Sequence, residues 1–278
     1  MTTILVTGGT GTLGRALVPL LAAPGRTVRV LSRRPRPQPA PPVDWVTGDL
    51  RRNTGVDAAV AGADVIVHCA TGLGDVRAAR NLLAAARWAR IGHLVYISIV
   101  GIDQHPVRYY RSKLSCERLI ASSGLPWTVL RASQFHDLVL RICAALARGP
   151  VLLAPIGTSF QPVEVTEVAA RLADLAGGRP AGRVADFGGP QVCTADGLAR
   201  AYLAATGQHR PVLNVWLPGR AAAAFRRGAH LAPEHAAGRR TFEQFLTARF
   251  GEPDAGTRPR LDGSPARHQA GRDGERSR

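Results

Sequence analysis

The stretch Thr7-Gly8-Gly9-Thr10-Gly11-Thr12-Leu13-Gly14 leaves this chain few folds to adopt. It follows directly on an apolar run, residues 4–7, and opens a helical pattern over residues 11–23 that stops at Pro24-Gly25. Gly8, Gly11 and Gly14 repeat every third residue. A pyrophosphate needs backbone N–H groups at a helix N-terminus and no Cβ in the way, and glycines supply both. Any tight strand-to-helix turn favours glycine, so the triplet alone says little. The strand before it and the helix after it make it a dinucleotide-binding turn, with Gly8, Thr10, Gly11, Thr12, Leu13 and Gly14 as its residues.

The rest of the first half keeps the same rhythm. Apolar strand patterns at residues 27–32, 43–47, 64–69, 93–99 and 126–131 alternate with helical patterns at 75–90 and 108–123. Strands that are apolar throughout, joined by helices, imply a parallel sheet covered on both faces. The expected fold class is therefore α/β, a doubly wound parallel-sheet Rossmann fold with a small C-terminal substrate lobe. After Ser133 the elements become irregular: helices at 134–148, 164–176 and 194–205, strand-like runs at 151–154, 183–187 and 212–217, and a last amphipathic stretch at 241–250. This divides the chain into a dinucleotide-binding core (1–132), a C-terminal part with a smaller capping lobe (133–250) and a Pro/Gly/Arg-rich tail (251–278) expected to be disordered. Trp45, Trp88, Trp127 and Trp216 are expected in the core, and Cys69 reads as a small buried apolar residue.

Net charge is +16, which first suggests nucleic acid. Of the 36 basic residues only Lys113 is lysine, and the arginines are scattered without a basic helix or aromatic RNA-binding signature. With abundant Ala, Gly and Pro, this reads as compositional bias, so nucleic acid is not the expected partner. The four cysteines lie far apart with no C-x-x-C pair, which argues against a zinc site or a disulfide framework. No apolar run reaches the roughly 18–20 residues of a membrane span, and the N-terminus shows no secretory pattern. The expectation is a cytoplasmic protein acting on a small molecule, with its oligomeric state open.

The end of the second strand bears on which dinucleotide binds. An acid about 20 residues past the glycines usually holds a free ribose 2′-hydroxyl. Here the chain has Ser32-Arg33-Arg34 instead. Two guanidinium groups suit a 2′-phosphate, although in so arginine-rich a chain they are also compatible with plain solvent exposure. The missing acid favours NADP over NAD. Asp49, followed by Leu50, is suited either to hydrogen-bond an adenine amino group or to cap the next helix.

Tyr109 and Lys113 stand four residues apart at a helical start, which stacks them on one face. The only lysine in a chain that otherwise uses arginine points to a task arginine cannot fill. A compact ammonium can bind ribose hydroxyls and lower the pKa of a neighbouring phenol.

With these residues the chain resembles the short-chain dehydrogenase/reductase superfamily, more narrowly its atypical group related to NmrA-type and extended, epimerase-like members. The resemblance spans most of the chain up to the tail. It rests on residues 7–14, Asp49-Leu50, Val95-Tyr96-Ile97-Ser98-Ile99-Val100-Gly101, the Tyr109/Lys113 pair and Leu125-Pro126-Trp127-Thr128-Val129-Leu130-Arg131. It implies that Tyr109 is the general acid/base, that Ser98 polarises the same substrate oxygen, and that Lys113 holds the nicotinamide ribose and keeps the tyrosine acidic. It further implies that the loop at Ala70-Thr71 passes along the cofactor by its backbone, and it offers Asn81 as a fourth member of the catalytic set. The function implied is an NADP-dependent oxidoreductase working on a carbonyl/hydroxyl pair. Two alternatives stand beside it. One is a non-enzymatic NADP-sensing regulator, although such relatives commonly lack the tyrosine–lysine pair. The other is a nucleotide-sugar epimerase or dehydratase, for which the chain is short and lacks an obvious diphosphate clamp. Beyond the sixth strand, His136 is expected as a partly buried helix-start residue rather than a substrate contact, and residues 157–161 as a second wall.

Overall fold

The computed structural model describes residues 1–37, 42–72 and 74–251, so the tail expected from residue 251 lies, Gly251 apart, outside the described residues. In the first half the elements are β1 (Thr2–Thr7), α1 (Thr12–Leu21), β2 (Arg26–Ser32), β3 (Asp44–Thr47), α2 (Val56–Val60), β4 (Val65–His68), α3 (Asp75–Trp88), β5 (His93–Ile99), α4 (Arg108–Ala121) and β6 (Trp127–Ala132). Next come α5 (His136–Leu146), β7 (Leu152–Pro155), β8 (Ser159–Phe160), α6 (Val165–Gly177) and β9 (Gly182–Arg183). The chain finishes with β10 (Cys193–Thr194), α7 (Ala195–Ala205), β11 (Val212–Val215), α8 (Arg220–Arg226), a short 3-10 turn at Pro233–His235 and α9 (Phe242–Phe250).

Seven strands form one parallel sheet in the order β3-β2-β1-β4-β5-β6-β9. The fold class is as expected, a doubly wound α/β sheet. Side chains alternate across a strand, and here both sets are apolar. Ile4 and Val6 of β1, Val28 and Val30 of β2 and Val65 and Val67 of β4 enter one core with α1 and α6. Leu5, Leu31 and Ile66 point the other way, into a second core built with α2, α3 and α4. The strand order reverses between β1 and β4, and a doubly wound sheet opens its crevice at the carboxyl ends of the strands at such a point. Thr7 and His68 end those two strands in register, with Thr7 Oγ1 and His68 Nδ1 2.6 Å apart.

From residue 133 the chain alternates between completing this sheet and building a second layer. Helix α6 packs on α1, β4 and β5, and β9 extends the sheet beyond β6. Helices α5, α7 and α9 form a third core with β7, in which Leu152, Leu198, Tyr202, Phe242 and Leu246 are buried. Two polar clasps tie the segments of this C-terminal part together. Gln161 donates to the carbonyls of Gly189 and Ala232 and accepts from Ala232 N, and Arg240 reaches Glu164 at 2.9 Å.

Two tryptophans correct the expectation that all four lie in the core. Trp88 ends α3 and is 82% exposed, and Trp216 is 61% exposed, with its ring against the Arg226 guanidinium at 5.2 Å. Trp45 and Trp127 do pack against the two main cores. An indole presents both a broad apolar face and a donor, so it sits at a boundary as readily as inside.

Candidate active site

The glycine turn is shaped by contact as well as by backbone angle. Gly8 has φ +75°, and a Cβ there would lie 2.6 Å from Ala70 N, against the loop leaving β4. A Cβ on Gly14 would strike the Gly8 carbonyl oxygen and come within 2.5 Å of Gly9 Cα. The turn therefore folds onto the first turn of α1, closed by Gly11 N donating to Gly8 O at 2.9 Å. Gly11 caps α1 without a side chain, so the first N–H groups of that helix carry its partial positive charge unscreened. Thr10 and Thr12 are partly exposed around this opening, and Leu13 is buried beneath it.

Ser32, at the end of β2, is buried and its Oγ accepts from Arg34 N, which turns the chain outward. Arg33 and Arg34 are both exposed there. Asp49 Oδ1 accepts from Arg51 N at 2.8 Å, and Asp49 N bonds to the carbonyl of Thr54. The Asp49 side chain thus caps a local turn and not helix α2, whose N-cap is Gly55. Leu50 is buried beside it, and Asn81 donates to the Leu50 carbonyl at 2.7 Å. Asn81 therefore pins this loop to α3.

On the other side of the switch point, Tyr109 and Lys113 lie one turn apart on α4. Their surroundings differ sharply. Tyr109 is 41% exposed and its hydroxyl lies 3.0 Å from Thr71 Oγ1. Lys113 is buried, with Nζ 4.9 Å above the centre of the Tyr96 ring and 3.8 Å from Asp75 Oδ2. Asp75 is the first residue of α3, where the helix dipole favours an anion. Its carboxylate accepts from Gly72 N at 2.6 Å and from Thr71 Oγ1 at 3.1 Å. One chain of contacts runs Lys113–Asp75–Thr71–Tyr109.

Electrostatics follow from that chain. Burial pulls the Lys113 ammonium below its ordinary pKa while Asp75 pushes back. Contrary to the expectation that Lys113 keeps this phenol acidic, partial burial raises Tyr109 above its ordinary value, Asp75 adds to the rise, and the Thr71 hydrogen bond opposes it. At neutral pH Tyr109 is a protonated phenol, a donor. Ser98, near the carboxyl end of β5, is buried with no hydrogen-bond partner for its Oγ, an unusual state for a hydroxyl at a strand end that opens on a crevice.

Asp75 was not legible as part of this set, because an acid opening a helix reads simply as a favourable end charge. Beyond β6, His136 opens α5 as expected but is more deeply buried than expected. His136 is fully buried, its Nε2 bonded to the Arg240 carbonyl and its ring stacked on Phe245. Phe160, in the stretch expected as a second wall, meets Phe225 and His230. Gly101 accounts for how close α8 comes. It has φ +73°, and a Cβ there would overlap the Ala229 carbonyl, so the segment after α8 lies directly on the loop between β5 and α4. All four cysteines are free and buried, and burial pushes the Cys69 thiol up to about 12. Among the described residues, no group of His, Cys, Asp or Glu is arranged to hold a metal ion, and no helix is long and apolar enough to cross a membrane.

A parallel sheet whose strand order reverses beside a glycine turn is the layout of a dinucleotide-binding fold. Residues 8–141 match a family model described as NAD(P)H-binding. The chain is 31% identical over 203 residues to a (4-alkanoyl-5-oxo-2,5-dihydrofuran-3-yl)methyl phosphate reductase of Streptomyces griseus, covering 69% of this chain and 70% of that one. It is 29% identical over 217 residues to an NAD(P)H azoreductase of Xenophilus azovorans, covering 75% of each. Among solved structures, an NADPH-dependent quinone oxidoreductase of Escherichia coli complexed with NADPH superposes with a TM-score of 0.76 at 19% identity, over 89% of this chain and 99% of that one. The chain belongs to the NAD(P)H-binding family that includes the Streptomyces reductase, in keeping with the atypical short-chain dehydrogenase/reductase group it resembles.

Proposed function

We propose that the protein is an NADPH-dependent reductase of small organic molecules, with Tyr109 as its proton donor. The observation that carries this reading is the contact chain Lys113–Asp75–Thr71–Tyr109, which leaves a protonated phenol half-exposed beside the switch point. The residues present fit a dinucleotide. The turn that Gly8 and Gly14 close leaves Gly11 exposed at the N-terminus of α1, where a pyrophosphate can meet backbone N–H groups, and the partnerless Ser98 Oγ suits a ligand oxygen. Gly8, Thr10, Gly11, Thr12, Leu13 and Gly14 would hold the pyrophosphate, Arg33 and Arg34 with Ser32 the 2′-phosphate end, and Asp49 and Leu50 the adenine. Ala70 and Thr71 would line the path between the two halves. When bound, the reduced nicotinamide supplies the hydride.

The protein's own part is the proton. Tyr109 gives its O–H proton to the substrate oxygen as the adjoining carbon gains a hydride, and solvent reprotonates the phenolate. Ser98 donates to the same oxygen, and Lys113 holds ribose hydroxyls. Asp75 keeps the buried ammonium charged in the absence of ligand. The raised phenol pKa suits reduction, because a reductase needs its acid protonated at the start of each cycle. The named activities of the Streptomyces, Xenophilus and Escherichia proteins support the direction.

The test follows NADPH absorbance with a panel of ketones, enones and quinones. For a carbonyl substrate, Tyr109→Phe is expected to lower kcat about 10²–10⁴-fold, the usual worth of a positioned general acid, with NADPH affinity unchanged. Turnover equal to wild type in Tyr109→Phe would remove the tyrosine from the mechanism.

A further inference from the structure

A cavity of about 540 Å³ lies on the opposite side of α4 from the tyrosine and the lysine. Arg111 is two residues from both Tyr109 and Lys113, about 200° around a helix of 3.6 residues per turn. With Arg118 two turns on, it presents a face of α4 turned away from the reaction site. Arg220 and Arg227 of the α8 segment form the facing wall, and the loop Ile102–Pro106 closes one end.

Four arginines line this space, and among the described residues none of the four has an ion pair. Two carboxylates of this region are already held. Asp103, itself in the cavity wall, lies 3.0 Å from the buried Arg131, and Glu117, beside Arg118, makes a two-pronged pair with the same guanidinium. His105, 3% exposed and in the same wall, has its Nε2 without a hydrogen-bond partner. Like charges gathered around a cavity repel one another, and an oxyanion relieves that repulsion while accepting the fork of each guanidinium. The volume suits a small molecule better than a polymer.

We infer that this cavity is a binding site for a compact phosphorylated small molecule, held by Arg111, Arg118, Arg220 and Arg227 and separate from the hydride-transfer site. Its occupant clasps α8 to the loop between β5 and α4. That loop reaches the reaction site through His105, whose ring stacks on Tyr110 at 4.4 Å, next to Tyr109. The site is therefore placed to stiffen one wall of the substrate crevice from behind.

The experiment is calorimetric titration of the full chain, saturated with NADPH, with inorganic pyrophosphate at 150 mM salt. Prior saturation fills the dinucleotide's own phosphate positions, and the salt screens diffuse attraction. The expected result is saturable one-to-one binding that weakens at least tenfold in Arg111→Gln/Arg220→Gln and is retained in Arg171→Gln/Arg249→Gln, a pair of the same charge change elsewhere on the surface. Equal affinity in the wild type and the cavity variant, or a response in the wild type that never saturates, overturns the inference. Inorganic phosphate and glycerol phosphate as further titrants separate a free-phosphate site from an organic-phosphate one. The readout is heat of binding, so its failure leaves the reductase reading standing, and failure of the reductase reading leaves this site untouched.

Discussion

Replacing Asp75 by Asn tests the centre of the site without requiring a substrate. The side chain keeps its size, and its amide oxygen can still accept from Gly72 N, but the charge facing Lys113 is gone. Both partners are sealed from water, with side-chain exposures of 4% for Lys113 and 8% for Asp75, so solvent screening offers little relief. Breaking a buried pair by removing one member typically costs about 3–5 kcal/mol. There is also a ceiling, because the lysine can shed its proton. From an unfolded-state pKa near 10.4, at about 1.36 kcal/mol per unit, that escape costs about 4.6 kcal/mol at pH 7 and about 1.9 kcal/mol at pH 9. The expected loss is therefore about 3–4.5 kcal/mol at pH 7, shrinking below about 2 kcal/mol at pH 9. The sign follows from proton counts. With a neutral Lys113 in the folded variant and an ammonium in the unfolded chain, the unfolded state binds one more proton, so the variant gains stability as pH rises. The wild-type lysine is also lowered by burial, but Asp75 opposes the shift, so its own gain begins at higher pH. Urea unfolding followed by circular dichroism, without cofactor, measures both curves. A loss under about 1 kcal/mol at pH 7, or one that is the same at pH 7 and pH 9, would refute the idea that Asp75 sustains a buried ammonium.

Two substitutions address the dinucleotide directly. Gly14→Ala pushes a methyl group into the Gly8 carbonyl and is expected to weaken NADPH binding more than tenfold in a fluorescence titration, with unchanged affinity arguing that the turn is not the pyrophosphate seat. Arg33→Ala/Arg34→Ala removes two exposed cations, each worth about 1.5–3 kcal/mol if it hydrogen-bonds a phosphate. NADPH affinity should fall at least tenfold while NADH affinity changes less than twofold, and an equal fall for both would remove the 2′-phosphate from the argument.

The sheet was legible because its strands β1, β2, β4, β5 and β6 carry apolar residues on both faces, the pattern of a doubly covered parallel sheet. Helix α2 escaped because five residues, Val-Asp-Ala-Ala-Val, are too few for a 3.6-residue period to declare itself. Helix α8 has good helix formers, but Pro218-Gly219 before it and Gly228 after it make the stretch read as loop. The turn glycines and the Tyr109/Lys113 pair were legible because their chemistry depends on local spacing. Asp75 was not, because its role depends on Lys113, 38 residues later, being folded onto it. The exposed Trp88 failed for a related reason: ending an amphipathic helix fixes which residue it is, not whether another element arrives to cover it.

Helix α6 belongs to the first core although the chain reaches it only after passing through β7 and β8. Its Val165, Val168, Ala169, Leu172, Leu175 and Ala176 are all buried, sealing α1 and one side of the sheet. A fragment ending after β6 would leave the part of that side beneath α6 uncovered, with only α1 against it. Evolution therefore cannot exchange the capping lobe by a single splice downstream of the nucleotide fold. Any viable chimera must retain residues 165–177 with the N-terminal half and graft the intervening and following pieces around them, so the lobe changes its specificity loop by loop and is not inherited as a detachable cassette.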